Sequence, residues 1–292
     1  MPELPEVEIT ARRLGAALEG AEIESALAPG LATLKTFEPP LEALEGGRVE
    51  GVRRIGKMLA VDAGGGPGSP GGEGDELTLL VHLMSAGRLQ VFEKRASLKD
   101  RASRVLVRIA DGRELRLREL GTRQAAWAKL LRRGAVDEDE MVSTLGPDAW
   151  PAPPLETLAQ AIDQPSHLHP LLRRQRTIAG IGRSWVDEIL WEARLSPFKQ
   201  GSELDPDEVG QLHDALHVLG DAIEHYERVI GDTVPDKLPM PLRVHRREGE
   251  PCPRCGTTIE AVFYSQHQTN YCPAEQTGGR VLEDRRLSRL LK

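Results

Sequence analysis

Apolar and polar residues alternate along the first half of the chain, and this pattern predicts a series of short β-strands. Between about residues 21 and 130, segments with partial period-two alternation are separated by glycine, proline and polar residues. These segments are AEIESALA, VEGVRRIG, KMLAVDA, ELTLLVHLM, GRLQVFE, SRVLVRIADG and ELRLREL. Seven or eight strands within about 110 residues are typical of a β-sandwich. ADGRE, between the last two segments, is a hairpin-turn signal.

Helical spacing precedes and follows these strands. In PEVEITARRLGAALEG, the apolar residues Val7, Leu14 and Leu18 can share one helix face. After the proline-rich linker DAWPAPPLE, helical spacing returns in LETLAQAI, HPLLRRQRTIAGIG, SWVDEILWEARL and DPDEVGQLHDALHVLGDAIEHYERVI. Asp205 and Pro206 have the sequence of an N-cap and a first helical residue. The pattern therefore predicts a β-sandwich followed by a helical bundle.

The last part of the chain predicts a short β-hairpin with cysteines at its base. We divide the chain into an N-terminal domain with a leading helix at 1–147, a helical domain at 148–234, and a hairpin module with the C-terminal tail at 235–292. The expected fold class is α+β, with an N-terminal β-sandwich, a helical domain and a C-terminal zinc-finger-like β-hairpin. The Gly/Pro/Ser-rich segment 63–75 interrupts the strands, and we expect a flexible loop without chemistry there.

Composition narrows the class of protein. The 292 residues are 39% hydrophobic and 28% charged, as in a globular protein of about two domains. No apolar run of about 18 residues exists, which excludes a transmembrane helix, and the N-terminus does not resemble a secretory signal. Three cysteines disfavour a disulfide framework and favour a reducing cytoplasm. The formal net charge of −7 means that any nucleic-acid contact requires a local basic face.

Such a basic face is predicted around the segment QRTIAGIGRSWVDEIL. Gly180 and Gly182 interrupt a helical pattern, and a new helix is expected to begin near Ser184. A glycine turn at a helix N-terminus exposes backbone N–H groups that bind phosphate. Residues 165–200 contain six Lys or Arg and three Asp or Glu, a local excess of three positive charges. A helix-turn-helix element with a solvated charged face would have the same sequence.

The N-terminus offers a candidate nucleophile. Removal of the initiator Met1 ahead of a small residue leaves Pro2 with a free secondary amine. An α-amine titrates near pH 8, so about a tenth or more of it is uncharged at neutral pH and can attack a sugar C1′ or a carbonyl. Glu3 and Glu6 are close enough to transfer protons. Taken alone, however, Met-Pro-Glu is a common start of a chain.

Lys57 and the cysteines are further candidates. Lys57 follows a glycine at the start of a strand, where it suits a phosphate or a leaving group, although a solvated surface lysine would look the same. Cys252 and Cys255 form a C-x₂-C pair, and Cys272 follows after sixteen residues. Two such pairs would indicate zinc, but the fourth position is Glu275. His267 is a rival fourth ligand, and a hairpin held by packing alone is the alternative.

Four motifs occur together along nearly the whole chain. In order, they are MPELPEVE, RRIGKMLAV, the GIGRSWVDEIL block and the C-x₂-C hairpin. Together they resemble the formamidopyrimidine-DNA glycosylase/endonuclease VIII family. The resemblance implies a β-sandwich, a helix-two-turns-helix domain and a zinc-finger hairpin with structural zinc. It implies excision of oxidised bases from duplex DNA and cleavage at the abasic site, with the target nucleotide flipped out of the stack. It also implies a monomer of bacterial type, in the cytoplasm at the nucleoid.

The resemblance also implies roles for individual residues. Pro2 would be the nucleophile on C1′ that forms the Schiff base. Glu3 would be the acid/base that opens the sugar, and Glu6 would help to organise the site. Lys57 matches the family lysine that contacts phosphate and the lesion region. The implied zinc ligands are Cys252, Cys255, Cys272 and Glu275.

Several expected DNA contacts depart from the family pattern. Arg183 stands where the family usually has an asparagine, and His267 stands where it has a phosphate-clamping arginine at the hairpin tip. Met84 resembles the methionine that fills the void left by the flipped base. The residues that fill the rest of that void fall at 122–124, around Arg123. The remaining expected DNA contact is Gln175.

The sequence therefore predicts a bifunctional DNA glycosylase and abasic-site lyase that acts on double-stranded DNA. Because the DNA-contacting positions differ while the catalytic ones are kept, we expect altered lesion specificity. The short connection at about 229–243 favours endonuclease VIII-like substrates, whereas the N-terminal octapeptide is similar to the other branch of the family. The alternative is a non-catalytic or weakly catalytic DNA-damage binding protein of the same fold.

Overall fold

The chain forms two compact units in a computed structural model. The first unit contains Met1–Ser143 and Tyr226–Pro239, and the second contains Thr144–His225 and Met240–Lys292. These units group Tyr226–Pro239 with the N-terminal residues, whereas the sequence places 148–234 in a separate helical domain. The division into three domains remains a prediction. The structure describes residues 1–30, 32–69, 71–72, 75–97, 99–120, 124–264 and 267–282, with only the backbone of Tyr264 and His267.

Two four-stranded antiparallel sheets make up most of the first unit. Their strand orders are β1-β6-β7-β5 and β2-β3-β4-β8. The strands are β1 (Ile23–Leu27), β2 (Val49–Ile55), β3 (Met58–Gly64), β4 (Glu76–His82), β5 (Gly87–Phe92), β6 (Ser103–Ile109), β7 (Glu114–Glu119) and β8 (Trp127–Arg132). The predicted β-sandwich is confirmed.

One apolar core joins the two sheets. Alternate residues of each strand point into it, because side chains of a β-strand point to opposite faces in turn. Each of these buried aliphatic side chains contributes about 1.5–3 kcal/mol relative to an exposed one. The central members are Leu59, Val61, Leu79, Val81, Val105, Val107, Leu115, Leu117 and Leu130. Strand β8 lies outside the seven predicted segments, because its inward pattern consists of Ala128 and Leu130 alone.

Helix α1 (Leu4–Leu18) packs on this sandwich through the face predicted from the sequence. Val7, Leu14 and Leu18 are buried in the same core as the strands. The helix has Pro5 in its first turn, where a missing N–H costs nothing. Its N-terminus is thereby fixed against the sheets.

The second unit begins with helices. The helices after the sandwich are α2 (Glu140–Ser143), α3 (Leu155–Ile162), α4 (Leu168–Leu172), α5 (Arg183–Glu192), α6 (Pro206–Ala215) and α7 (His217–Val229). Of these, α2 and the end of α7 belong to the first unit. The predicted cap of α6 is confirmed, since the Asp205 side chain accepts a hydrogen bond from the Glu208 N–H at 2.9 Å.

The hairpin predicted near the C-terminus is also present. Strands β9 (Glu260–Tyr264) and β10 (His267–Tyr271) pair antiparallel, and the short helix α8 (Pro273–Gln276) follows. His267 pairs with Tyr264 at the turn end, and Tyr271 pairs with Glu260 at the other end. Cys272 directly follows β10, so it lies at the base of the hairpin.

Two buried acidic residues of α5 hold the residues before this hairpin. The Glu188 carboxylate accepts hydrogen bonds from three consecutive backbone N–H groups, those of residues 243–245, each at 2.9 Å. The neighbouring Asp187 contacts His245 at 2.7 Å and His169 at 3.2 Å. Burial raises the pKa of Glu188, and its backbone donors oppose that shift. Helix α5 is therefore the internal support of the C-terminal module.

The Gly-rich segment between β3 and β4 is closed at its base. The Gly65 N–H donates a hydrogen bond to the Asp75 carbonyl oxygen. A Cβ added at Gly66 would lie 1.5 Å from the Glu45 carbonyl oxygen, so only glycine permits this close approach. The first residues of the predicted flexible loop are therefore packed, while residues 70, 73 and 74 lie outside the described part of the chain.

The turn after β4 depends on a neutral histidine. Met84 has φ +48°, and its N–H donates to Nδ1 of His82 at 2.9 Å. The His82 ring stacks on Trp127 with 5.5 Å between ring centroids. Burial lowers the pKa of His82 from 6.5 to about 4, and the charge of Lys57 acts in the same direction. His82 is therefore an acceptor throughout the neutral range.

This turn generates a prediction about stability and pH. Below pH 6.5 the unfolded chain takes up a proton at His82, whereas the folded protein does so only near pH 4. The free energy of unfolding should therefore decrease as pH falls from about 6.5 to about 4. His82→Asn removes the titration and keeps an acceptor near the position of Nδ1. Urea unfolding at pH 7.5 and pH 5 should show the wild type losing about 1–2 kcal/mol more than His82→Asn. The same loss in both proteins would contradict the role of His82.

Candidate functional site

The residues predicted to be catalytic gather at the start of α1. Glu3, Glu6 and Lys57 are all buried, at 2%, 4% and 6% exposure. Lys57 follows Gly56, whose φ of +55° forms the tight β2–β3 turn that turns the chain towards this site. All three charged groups act electrostatically on the N-terminal amine, next to Pro2. The structure thus brings together the four positions that the sequence singles out.

The surroundings of the N-terminal amine, which in this structure belongs to Met1, favour the uncharged form of that amine. Burial lowers the pKa of the N-terminal ammonium of Met1 below its ordinary 8.0. Glu3 and Glu6 oppose the shift, while the positive charges of Arg88 and Lys57 reinforce it. An amine with a lowered pKa is a better nucleophile at neutral pH, because more of it carries a free lone pair.

Glu6 is held by two donors. One carboxylate oxygen accepts the Glu3 N–H at 2.9 Å, and the other accepts the Tyr226 hydroxyl at 2.7 Å. Burial raises the pKa of Tyr226, and the negative charge of Glu6 acts in the same direction, so the phenol remains an O–H donor. Sequence reasoning missed Tyr226, since an aromatic residue on the apolar face of α7 is indistinguishable from a packing residue.

Arg88 is a second residue that sequence reasoning missed. Its Nε donates to the Asp236 carbonyl oxygen at 2.6 Å, and the Asp236 carboxylate pairs with Arg118 at 2.7 Å. Burial lowers the pKa of Arg88, which the charge of Asp236 opposes. Its place on the alternating strand β5 marks it only as a polar residue. The structure makes it a fixed positive charge close enough to act on the N-terminal amine.

The residues expected to fill the void in the duplex are only partly described. Met84 lies in the turn after β4 and is partly exposed. Arg123 and Thr122 lie outside the described residues, and Gln124 is exposed. The expectations for these residues remain predictions.

Gln175 braces the glycine turn before α5. Its side-chain oxygen accepts the Gly180 N–H at 3.0 Å, and its amide nitrogen donates to the carbonyl oxygens of Ile181 and Arg173 at 2.9 and 3.0 Å. Gly180 has φ +98°, which favours glycine. The Gln175 side chain is therefore engaged in shaping the turn.

The surface of the segment 165–200 is more positively charged than the count of its charged residues indicates. Arg183 is exposed at the first position of α5, after the N-cap Gly182. Arg174 and Arg176 are exposed nearby in the chain, whereas Asp187 and Glu188 are buried. Two of the three acidic residues counted in 165–200 thus contribute little to the surface charge. The exposed N-terminus of α5 suits an anion such as phosphate.

The three cysteines converge in the second unit. Their sulfur atoms all lie within 4.8 Å of one another, and the Cys255 and Cys272 sulfurs are 3.5 Å apart. A tetrahedral zinc with Zn–S bonds of about 2.3 Å requires sulfurs about 3.8 Å apart. The Trp191 Nε1–H donates to the Cys252 sulfur at 3.4 Å. The backbone N–H of Glu275 donates to the Cys272 sulfur. These donors stabilise thiolates, so the cluster fits a structural zinc ion.

The Glu275 carboxylate, the fourth ligand that the resemblance implies, lies outside the cysteine cluster. The Glu275 carboxylate pairs with Arg254 at 3.3 Å and with Arg194 at 3.2 Å. Within the described part of the chain, no fourth His, Cys, Asp or Glu joins the cluster. His267 is five residues before Cys272 on β10, about 17 Å away at 3.4 Å per residue. The backbone of His267 therefore lies at the turn end of the hairpin, and His267 as a rival ligand remains a prediction because its side chain lies outside the described part of the chain.

No helix in the residues that the structure describes combines the length and apolar character needed to span a bilayer.

Three known families match the chain in sequence order. Residues 1–125 match the formamidopyrimidine-DNA glycosylase N-terminal domain, and residues 145–233 match the formamidopyrimidine-DNA glycosylase H2TH domain. Residues 249–274 match the zinc finger found in FPG and IleRS. The last match, with the cysteine cluster, supports a structural zinc in the hairpin module.

Two curated relatives match nearly the full length of this chain, and a third matches about half of it. A formamidopyrimidine-DNA glycosylase of Roseiflexus sp. is 32% identical over 293 residues, covering 94% of this chain and 98% of the relative. That of Chloroflexus aurantiacus is also 32% identical, over 289 residues, with the same coverage. An uncharacterized formamidopyrimidine-DNA glycosylase-like protein of Mycobacterium tuberculosis is 38% identical over 149 residues, covering 51% of this chain and 94% of its own length.

Solved structures agree. A complex between Lactococcus lactis Fpg and DNA containing an abasic site has a TM-score of 0.80 at 25% identity, covering 94% of this chain and 99% of that one. The L. lactis enzyme with DNA containing N7-benzyl-Fapy-dG has a TM-score of 0.81 at 26% identity, covering 94% and 100%. Since sequence and structure match over nearly the whole length, the chain belongs to the formamidopyrimidine-DNA glycosylase family.

Proposed function

We propose that the protein is a bifunctional DNA glycosylase and abasic-site lyase that uses the Pro2 amine as its nucleophile. Its partner is double-stranded DNA with a damaged, chiefly oxidised base or with an abasic site. The observation that carries the proposal is that Glu3, Glu6 and Lys57 are buried and act electrostatically at the N-terminus, next to Pro2. Structural relatives bound to abasic-site and lesion-containing DNA support the choice of substrate.

The reaction follows from the chemistry of these groups. The Pro2 nitrogen forms a bond to C1′ while the glycosidic bond breaks, and the departing base takes up the proton that the Pro2 nitrogen loses. Glu3 donates a proton to the ring oxygen as the sugar opens, which leaves an iminium between Pro2 and C1′. The Glu3 carboxylate, which has given up its proton, takes up a C2′ proton, so that the 3′ phosphate is expelled and the strand is nicked. Water then hydrolyses the iminium and releases Pro2 as the free amine. Lys57 supplies the positive charge that a phosphate or a departing base requires.

Glu6 and Tyr226 act by positioning. The Glu6 carboxylate fixes the Glu3 backbone N–H, and so the residue next to the nucleophile. Tyr226 holds the second oxygen of that carboxylate. A misplacement of about 1 Å at a reacting centre can reduce the rate about 100-fold, so this support matters for catalysis.

The DNA contacts are assigned to residues outside this catalytic group. Arg183, at the N-terminus of α5, binds a backbone phosphate, and Gln175 shapes the turn that presents it. Met84, Arg123 and His267 are proposed as further contacts near the lesion. The zinc ion, through Cys252, Cys255 and Cys272, fixes the fold of the hairpin that carries His267.

A non-catalytic DNA-damage binding protein is the second candidate. The unusual residues Arg183, His267 and Glu275 favour it, because they alter the parts that hold DNA and metal. The intact group of Glu3, Glu6 and Lys57 favours the enzyme, because a binding protein has no need of buried, hydrogen-bonded acids beside an amine.

Borohydride trapping tests the nucleophile. Protein with Met1 removed, verified by mass, should form a covalent adduct with duplex DNA carrying one abasic site, because borohydride reduces the iminium. Pro2→Gln retains Met1 by blocking its removal and should form no adduct, and Pro2→Gly should form much less. Trapping by Pro2→Gln at the wild-type level would rule out the Pro2 amine as the nucleophile.

The same trapping assay over a panel of duplexes with single oxidised bases measures lesion preference. We infer altered specificity from the changed DNA contacts, so the preferred substrate should differ from 8-oxoguanine opposite cytosine. A preference for that ordinary pair would contradict this part of the proposal and leave the nucleophile assignment intact. Normal duplex binding without any adduct would favour the non-catalytic reading.

Tyr226→Phe tests the support of Glu6. The variant keeps the ring and removes one hydrogen bond to a carboxylate, worth about 1.5–3 kcal/mol. We expect kcat to fall about 10- to 100-fold, with KM for duplex DNA nearly unchanged and the acid limb of the pH–rate profile moved to higher pH. Glu3→Gln is the comparison, and it should abolish excision while leaving most binding. An unchanged pH profile in Tyr226→Phe would show that the phenol only packs.

Arg183→Ala tests the phosphate contact. Loss of a charge-assisted hydrogen bond should weaken duplex binding by about 1–3 kcal/mol. The slope of log Kd against log salt should decrease by about one, since one fewer counterion is released. Arg48→Ala is the matched control, because Arg48 is an exposed arginine paired with Glu22 in the first unit. Equal effects of the two substitutions would remove Arg183 from the interface.

A further inference from the structure

We propose that the zinc ion in this protein is bound by three cysteines and that its fourth coordination position accepts an exogenous ligand, with small thiols as the preferred class. The three ligands are Cys252, Cys255 and Cys272. The proposal concerns the hairpin module of the second unit and is independent of the N-terminal chemistry.

The carboxylate that stands in place of the fourth cysteine is committed to arginines. Arg254 donates to Glu275 at 3.3 Å and to Glu192 at 2.9 Å. The Arg254 guanidinium also lies 4.0 Å from the centre of the Trp191 ring and donates to the Trp191 carbonyl oxygen at 3.1 Å. Arg194 approaches the same Glu275 oxygen at 3.2 Å. Moving this carboxylate to zinc would leave a stacked, partly buried arginine with one partner fewer.

Glu275 serves the site through its backbone instead. Its N–H donates to the Cys272 sulfur, while its side chain points to the arginines. The Glu275 carboxylate could reach the metal only by giving up its contacts with Arg254 and Arg194. Glu275 therefore occupies the sequence position of the fourth cysteine without acting as a zinc ligand. The residue that replaces a ligand thus stabilises a neighbouring ligand.

The three sulfur atoms differ in their access to solvent. Cys252 and Cys272 are 3% and 0% exposed and pack with Trp191, Val244 and Ile259. Cys255 is exposed. The sulfur triangle therefore has a closed apolar side and an open side at Cys255, from which a small molecule can approach.

The charge and softness of the site select the ligand. Zinc with three thiolates carries a net charge of −1, and zinc is nearly always four-coordinate in such sites. Solvent supplies the fourth ligand by default. A thiol replaces it as a thiolate, with release of one water molecule and one proton, because sulfur donors suit zinc that is already bound by sulfur. The nearby Arg254 and Arg194 offset part of the added negative charge.

Cobalt substitution provides the test. The full-length protein is loaded with Co²⁺, whose absorption bands report the number of thiolate ligands, and is titrated with 2-mercaptoethanol. The wild type should show a saturable increase in sulfur-to-cobalt charge-transfer absorbance, by about one third, as three thiolates become four. Glu275→Gln should behave in the same way, because its carboxylate is not a ligand. Glu275→Cys is the matched control and should start with four thiolates and ignore the added thiol.

A wild-type spectrum that does not respond to thiol would show that the protein completes its own coordination shell and would overturn the proposal. A changed starting spectrum in Glu275→Gln would overturn it as well, by making Glu275 a ligand. If the added thiol removes cobalt from the protein instead of binding to it at the site, the proposal is overturned too. If Glu275→Cys does not fold, X-ray absorption of the zinc-loaded wild type decides, with three sulfurs and one lighter atom expected before thiol and four sulfurs after it.

Discussion

A single carboxylate, that of Glu6, connects the first turn of α1 to the rest of the N-terminal unit. It receives the Glu3 N–H from its own helix end and the Tyr226 hydroxyl from α7, which is more than two hundred residues away in sequence. Both donors are buried, so neither bond competes with water, and leaving the carboxylate without them would cost several kcal/mol. These two bonds, together with the apolar packing of α1, hold the start of the helix next to Pro2.

The second unit is built around buried acids in a similar way. Glu188 gathers three consecutive N–H groups, and Asp187 bridges two histidines. Their helix presents Arg183 to solvent at its N-terminus. The same ten-residue helix therefore has an exposed positive charge at its N-terminus and buried acids that anchor the residues before the hairpin.

Local patterns in the sequence predict the framework but not the long-range contacts. The strands follow from alternation, α1 from the spacing of Val7, Leu14 and Leu18, and the start of α6 from Asp205, because each depends on residues a few positions apart. The contact between Tyr226 and Glu6 depends on tertiary packing, which no local pattern encodes. Asp187 and Glu188 likewise look like surface charges in a basic segment until burial is known. The proposed catalytic positions follow from a specific motif, whereas Tyr226 and Arg88 have no such motif.

The closed base of the Gly-rich segment has a practical consequence. Strands β3 and β4 remain paired as far as Gly64 and Glu76, and the next residues, Gly65 and Asp75, are joined by a backbone hydrogen bond. The register of the hairpin is thus fixed before the intervening residues begin. Doubling the length of such a segment costs only about 0.6 kcal/mol in loop-closure entropy. This segment is accordingly a suitable place to insert a fluorophore-binding tag or an affinity peptide, which would leave both chain termini unmodified.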